Sequence, residues 1–262
     1  MNRKIFGLIG RKLSHSYSYK FFSHLFDFYA LNHCEYRNFE LRSIEQLPAL
    51  LKNIPNIAGF NITIPYKESI FKYLDFLTPE ACSVGSVNVV KVFKNAITGY
   101  NTDIYGFQVS LKHFLGSFFP PKALILGTGG AAKAVAYVLN NLGIDFFFVS
   151  RSKKAINILP YEELTPQLLS EAFLIVNATP LGMYPDIFSK PPVPYTFITE
   201  NHYCYDLVYN PSETAFMKEC AKRGAKVKNG LEMLQLQAIR SFEIWFDRQI
   251  DETEFDKLLI WH

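Results

Sequence analysis

Residues 122–134, KALILGTGGAAKA, constrain this chain more than any other stretch. A basic residue leads into an apolar run, 123–126, long enough for one buried strand. Gly127, Thr128, Gly129, Gly130, Ala131 and Ala132 follow and open a helix-favouring segment. The spacing G-x-G-x-x-A predicts strand, tight turn and helix, with Ala132 small enough for close helix–strand packing. Such a turn lets the backbone approach a pyrophosphate and aims helix N-terminal N–H groups at it. A second predicted strand, 145–149, follows at the distance of a βαβ unit. The expectation is a dinucleotide site, with a bare structural turn as the alternative.

The end of that second strand selects the dinucleotide. NAD sites place an acidic residue there for the ribose hydroxyl, and NADP sites place cations for the 2′-phosphate. Here the chain reads Ser150, Arg151, Ser152, Lys153, Lys154, with no acid. Arg151 can fork onto phosphate oxygens or stack on adenine. The pattern predicts NADP, a solvated basic loop being the alternative.

A chain of 262 residues has room for one large domain or two medium ones. A net charge of +3 is too small to argue for nucleic acid or a membrane surface, and neither is expected as a partner. The residues after Met1 are too short in their apolar part for a signal peptide, and no apolar run is long enough to span a bilayer. Cys34, Cys82, Cys204 and Cys220 lie far apart with no CxxC, which suits reduced thiols in a cytoplasm. The histidines show no metal spacing, so no metal is expected.

Periodicity predicts strands at 4–9, 35–39 and 57–64, helices at 19–31, 43–51, 67–73 and 79–84, and a hairpin of 86–93 with 96–100 around Lys94 and Asn95. A helix at 103–115 opens on Asp103, and Pro120-Pro121 stops the chain before the glycine-turn strand. Beyond the βαβ unit come helices at 161–170, 212–223, 231–248 and 252–261, strands at 172–177, 203–208 and 225–228, and a proline-rich loop at 180–194. The expected fold is α/β with two lobes and a cleft between them. Residues 1–102 form an α/β substrate-binding and catalytic domain, with the C-terminal helices 237–262 packing back onto it, and 103–236 form a Rossmann-type domain.

Polar clusters precede the glycine turn. Ser14, His15, Ser16, Tyr17 and Ser18 follow the first strand, and loop hydroxyls at this spacing can converge on an anionic or polyhydroxy ligand; capping of the next helix is the alternative. In the segment 59–67, GFNITIPYK, alternation puts Asn61 and Thr63 on one face, and Lys67 follows the strand end. Polar side chains on a strand in an apolar domain call for partners. Asn88 is expected on a strand, and Asn101, Thr102 and Asp103 fall at the lobe junction.

Together these stretches resemble the shikimate/quinate dehydrogenase family nearly end to end. Segment 59–67 is similar to its G-x-N-V-T-x-P-x-K, 83–88 to its G-A-V-N-T region, 99–103 to G-x-N-T-D, and 15–18 to H-S-x-S-P. Segments 177–183, 205–211 and 230–237 resemble its later motifs. The resemblance implies reversible NADP-linked reduction of 3-dehydroshikimate to shikimate in aromatic amino-acid biosynthesis. By it, Lys67 corresponds to the catalytic lysine and Asp103 to its aspartate partner. Ser16, Ser18 and Tyr209 correspond to groups holding the substrate carboxylate, and Asn61, Thr63, Asn88 and Gln237 to contacts with the ring substituents or the catalytic pair. Gly127, Thr128, Gly129, Gly130 and Ala131 correspond to the pyrophosphate turn, and Ser150, Arg151, Ser152 and Lys154 to the 2′-phosphate loop. Thr179, Met183, Leu207 and Gly230 correspond to the remaining cofactor contacts. Glu232 stands where the family usually has glycine.

A lysine base must be partly neutral: desolvation favours the neutral amine, and a carboxylate beside it favours the ammonium. Asp103 is therefore expected mainly to position the ammonium and the substrate hydroxyl. Other readings are an NAD-preferring quinate/shikimate dehydrogenase and a non-catalytic NADP-binding sensor on the same fold. A monomer or homodimer is expected.

Overall fold

The computed structural model describes residues 3–13, 16–151 and 157–259. The chain divides into two compact units, one taking the residues through Thr102 together with those from Gln237 onward, the other Asp103–Leu236.

In the first unit β1 (Lys4–Gly10) lies between β2 (Cys34–Glu40) and β3 (Ile57–Ile62), parallel to both. Its run is buried from Ile5 onward, as a central parallel strand requires. Alternation sends Phe6 and Leu8 to one face and Ile5 and Ile9 to the other, so there is a core on each side of the sheet. β3 pairs antiparallel with β5 (Val89–Phe93), β5 with β6 (Ala96–Tyr100), and β4 (Phe76–Leu77) closes the edge beside β6. The hairpin turns at Lys94 and Asn95, whose φ values of 49° and 66° are the left-handed pair that a two-residue turn demands.

α1 (Ser18–Phe28) buries Phe21, Phe22, Leu25 and Phe26. They join Tyr36 and, from α8 (Leu231–Phe246), Phe242 and Trp245 in an aromatic layer where Phe22 stacks on Tyr36 at 4.5 Å between ring centres. Each such side chain contributes about 1.5–3 kcal/mol on burial. The short α2 (Leu47–Asn53) and α3 (Pro79–Val84) serve the opposite core through Leu47 and Ala81. α9 (Glu252–Leu258) is capped by Asp251, which accepts from Thr253 N at 2.9 Å.

The second unit opens with α4 (Asp103–Leu115). Its sheet comprises β7 (Lys122–Leu126), β8 (Asp145–Ser150), β9 (Ile158–Pro160), β10 (Leu174–Asn177), β11 (Tyr203–Asp206) and β12 (Lys226–Lys228). All pairings are parallel, and the order is β12-β11-β10-β7-β8-β9. Counted from β7, this is the 3-2-1-4-5-6 order of a doubly wound dinucleotide fold, with its switch point between β7 and β10. α4 and α5 (Gly130–Asn141) cover one face through Phe107, Leu111, Val135 and Leu139, and α6 (Pro166–Glu171) and α7 (Ala215–Ala221) the other through Leu169 and Phe216.

Several expected elements differ. The single helix over 161–170 is a 3-10 turn, Tyr161–Glu163, followed by α6, because Pro166 pushes Thr165 to extended backbone and Thr165 Oγ1 caps Leu168 N at 3.2 Å. The helix over 67–73 is a 3-10 turn confined to Ser69–Tyr73. The helix expected to run to residue 31 stops at Phe28, and Ala30 turns the chain at φ 52°. β3 ends at Ile62, short of the proline that follows, and Asn88 sits one residue before β5 rather than on it. β4 and β9, of two and three residues, are too short to show alternation.

Candidate functional site: a glycine turn and a buried polar chain

β7 ends at Leu126, and Gly127 turns the chain at φ 104°, which L side chains rarely adopt. Its N–H donates to Val149 O at 2.7 Å. A Cβ on Gly127 would lie 3.1 Å from Thr179 Cγ2 and 3.2 Å from Ala178 O, so only glycine lets the exits of β7 and β10 approach this closely. Thr128 and Gly129 are exposed, and Gly130 and Ala131 half-buried. Gly129 is the N-cap of α5; the helix has no side-chain cap and no acidic residue in its first turn. A Cβ on Gly129 would meet open space. These features fit a pyrophosphate held by backbone N–H groups.

Ser150 closes β8 half-buried, and Arg151 beyond it is exposed. Burial pushes the Tyr161 hydroxyl up to about 12, with the Arg151 charge pulling the other way. An exposed arginine after β8 fits a 2′-phosphate. Ser152 and Lys154, like His15, lie outside the described residues.

Thr179 follows β10, Met183 is 42% exposed, and Leu207 follows β11. A Cβ on Gly230 would stand 2.1 Å from Leu207 O, so the backbones touch and glycine is required. The carboxylate of Glu232 is turned to Ser110 Oγ (2.7 Å), His113 Nδ1 (2.7 Å) and Lys228 Nζ (2.6 Å). Burial opposes its ionisation, but those partners hold it below the usual carboxylate range. Glu232 thus ties the first turn of α8 to α4 and β12.

The first unit gathers residues from six separate stretches into one largely buried polar chain. Tyr36 Oη donates to Asn61 Oδ1 at 2.8 Å, and a hydrogen bond with Ser18 opposes the burial that drives the Tyr36 hydroxyl well up. Asn61 Nδ2 donates to Ser241 Oγ (3.1 Å), which donates to Gln237 O (2.7 Å) and lies 3.4 Å from Thr102 Oγ1. Asn88 Nδ2 donates to Gln237 Oε1 (2.7 Å) and Thr102 Oγ1 (3.1 Å), while Asn88 Oδ1 accepts from Thr102 N (2.7 Å). Asn61, Asn88, Thr102 and Ser241 are all buried, so these bonds replace water.

Of the sequence-predicted substrate residues, Ser18, Asn61, Asn88 and Gln237 enter this chain. Ser16 Oγ accepts from Ser18 N at 3.2 Å; it braces the start of α1, whose cap residue is Tyr17. Thr63 is half-buried and donates its N–H to Ile9 O at 2.9 Å. Lys67 is half-buried, and its carbonyl accepts from Val87 N at 2.8 Å. Asp103 is buried in the first turn of α4, directly after Thr102. Tyr209 belongs to the second unit and is half-buried. Sequence reasoning missed Tyr36, Thr102 and Ser241 as members. Ser241 follows Gln237 by one helical turn, a spacing that signals a shared face; Tyr36 gives no such signal. Among the described residues no group of three or more His, Cys, Asp or Glu side chains is gathered for a metal, and no helix is long and apolar enough to cross a membrane.

A parallel sheet of this order, with a glycine turn at its switch point and an arginine after the neighbouring strand, defines a dinucleotide-binding α/β protein. The family model described as the shikimate dehydrogenase substrate binding domain matches residues 8–90. A shikimate dehydrogenase (NADP(+)) of Clostridium beijerinckii is 39% identical over 95% of this chain and 94% of its own. The chain belongs to the shikimate dehydrogenase family. The crystal structure of shikimate dehydrogenase 1 from Peptoclostridium difficile is also 39% identical and superposes with a TM-score of 0.86 over 99% of this chain and 97% of that one. The shikimate 5-dehydrogenase of Thermus thermophilus, solved in complex with NADP(H) and shikimate, is 31% identical with a TM-score of 0.83 over 98% of each chain.

Proposed function

We propose that this protein is an enzyme that catalyses the reversible NADP-linked reduction of 3-dehydroshikimate to shikimate in aromatic amino-acid biosynthesis. The observation that carries the reading is the polar chain from half-buried Ser18 through buried Tyr36, Asn61, Ser241 and Thr102 to buried Asn88 and half-buried Gln237. It is an array of amides and hydroxyls on an aromatic floor, suited to a small polyhydroxy carboxylate. Ser16, Ser18 and Tyr209 would hold the carboxylate, and Asn61, Thr63, Asn88 and Gln237 the ring hydroxyls and the lysine.

Lys67 handles the proton: its ammonium protonates the ketone oxygen during reduction, and its amine takes the hydroxyl proton during oxidation. Asp103 orients that ammonium and the reacting oxygen. When bound, NADP(H) carries the hydride. The turn from Gly127 through Ala131 would hold its pyrophosphate, Arg151 with Ser150, Ser152 and Lys154 its 2′-phosphate end, and Thr179, Met183, Leu207 and Gly230 its nicotinamide half. The free cysteines suit a cytoplasmic enzyme, and a monomer or homodimer suffices.

The test is NADP reduction in the presence of shikimate, followed by the absorbance of the reduced nicotinamide, with quinate and NAD as controls. Shikimate-dependent NADPH formation is expected. Its absence, with folded protein and bound NADPH, would favour a non-catalytic sensor.

A further inference from the structure

One buried carboxylate in the second unit is not used by the proposed chemistry. Asp206 ends β11, is fully buried, and is the register partner of Asn177 at the end of β10. Its Oδ1 accepts from Asn177 Nδ2 (2.9 Å) and Val208 N (3.0 Å), and its Oδ2 from Thr214 Oγ1 (2.6 Å). Three chain segments therefore meet on one side chain: the exit of β10, the exit of β11, and the N-cap of α7, where Thr214 Oγ1 also accepts from Met217 N at 3.2 Å.

The Asn177 branch reaches furthest. An ionised carboxylate only accepts, so the Asn177 amide must point its nitrogen at Asp206. Its Oδ1 is then left to face Thr179, whose N (3.1 Å) and Oγ1 (2.6 Å) both donate to it. Thr179 Oγ1 in turn accepts from Leu181 N at 3.3 Å. Thr179 Cγ2 and Ala178 O are the groups packed against Gly127. The orientation of a single carboxylate is thus passed through Asn177 to the wall of the glycine turn. The Val208 branch starts the loop that carries Leu207 and abuts Gly230.

Burial raises the Asp206 carboxyl, and its hydrogen bonds to Thr214, Val208 and Asn177 oppose that rise. An apolar residue would fill this core without that penalty, so what the carboxylate supplies is direction.

We propose that Asp206 is the positioning residue of the cofactor-binding edge, holding the Asn177–Thr179 turn against Gly127 and so setting NADP(H) affinity without touching the dinucleotide. The assignment rests on the NADP reading of the glycine turn. It calls for the full chain and three variants: Asp206→Leu, Asp206→Asn and Asn177→Ala. NADPH dissociation constants from nucleotide fluorescence, KM for shikimate and thermal unfolding are measured on each. Asp206→Leu and Asn177→Ala are expected to weaken NADPH by about tenfold or more, with shikimate KM within about threefold of wild type. Asp206→Asn, whose amide oxygen still accepts from Asn177 and Val208, should restore affinity to within about threefold.

If Asp206→Leu does not fold, Asn177→Ala carries the test, because it cuts the relay on the turn side and leaves the Val208 and Thr214 bonds in place. NADPH affinity unchanged in Asn177→Ala, or shikimate KM rising in step with it, would overturn the assignment. Wild-type protein that binds NADPH without oxidising shikimate would instead strike the proposed reaction and leave the role of Asp206 standing.

Discussion

Asn88 Nδ2 donates to Gln237 Oε1 across 2.7 Å, joining positions 149 residues apart on the loop before β5 and on α8. The same amide nitrogen serves the buried Thr102 hydroxyl, so removing Asn88 takes a donor from that hydroxyl and from the half-buried Gln237 Oε1. An unsatisfied buried group costs about 1–3 kcal/mol. Asn88→Ala is therefore expected to lower kcat/KM for shikimate about ten- to hundredfold and to lower the melting temperature. NADPH affinity should stay at the wild-type level; an equal loss there would show a general collapse in place of a local one.

In the proposed reaction Lys67 handles the proton. Lys67→Ala is expected to reduce kcat by about 10²–10⁴, with shikimate KM changed only a few-fold. Steady-state kinetics in the direction of shikimate oxidation check this, and wild-type turnover in the variant removes Lys67 from the mechanism.

Arg151 directly follows β8 and is exposed. Losing a charge-assisted hydrogen bond to a phosphate costs about 1.5–3 kcal/mol. Arg151→Ala should raise KM for NADP about tenfold or more while leaving NAD kinetics nearly unchanged. A ratio of the two cofactors identical to wild type would place 2′-phosphate recognition elsewhere.

Asp206 has its carboxyl raised by burial from the ordinary 3.8 to about 6, against the pull of Thr214, Val208 and Asn177. The folded state then binds the proton more tightly than the unfolded one between those values. Burial of the charge destabilises the fold above about pH 6 by about 3 kcal/mol, and this is relieved as pH falls towards 4. The stability of wild type relative to Asp206→Asn should therefore improve between pH 7 and pH 5. Denaturant midpoints for both proteins measure it, and a pH-independent difference contradicts the shift.

Gly230 has no room for a side chain: the 2.1 Å approach of its Cβ position is to a backbone oxygen, Leu207 O, which no rotamer change relieves. Gly230→Ala should destabilise the protein by about 1–3 kcal/mol and weaken NADPH binding. Thermal unfolding alongside nucleotide titration tests both, and an unaltered melting temperature would rule out the contact.

Most of the two-unit α/β fold was legible from local pattern. The glycine turn showed because its residues are contiguous and each answers a backbone demand, as Gly127 does at φ 104°. β1 showed as a run and the hairpin as a turn at Lys94 and Asn95. The breaks at Thr165 and Phe28 were harder to see, since a capping bond and a left-handed alanine interrupt otherwise helical patterns.

The candidate site was legible residue by residue and not as a set. Asn61 and Asn88 stood out as polar groups on apolar strands and Ser18 as one hydroxyl of a loop cluster, while Gln237 was named by family resemblance alone. Nothing local marked Tyr36, which alternates on β2 like any strand tyrosine, and Asp206 lay inside a motif-like segment, 205–211, that gave it no role of its own. Local sequence determined most of the strands, turns and helices, because those depend on neighbours a few residues away. Only the tertiary structure decided which buried donor meets which acceptor, because a hydrogen bond of about 3 Å between residues 149 positions apart is set by how sheet and helix pack.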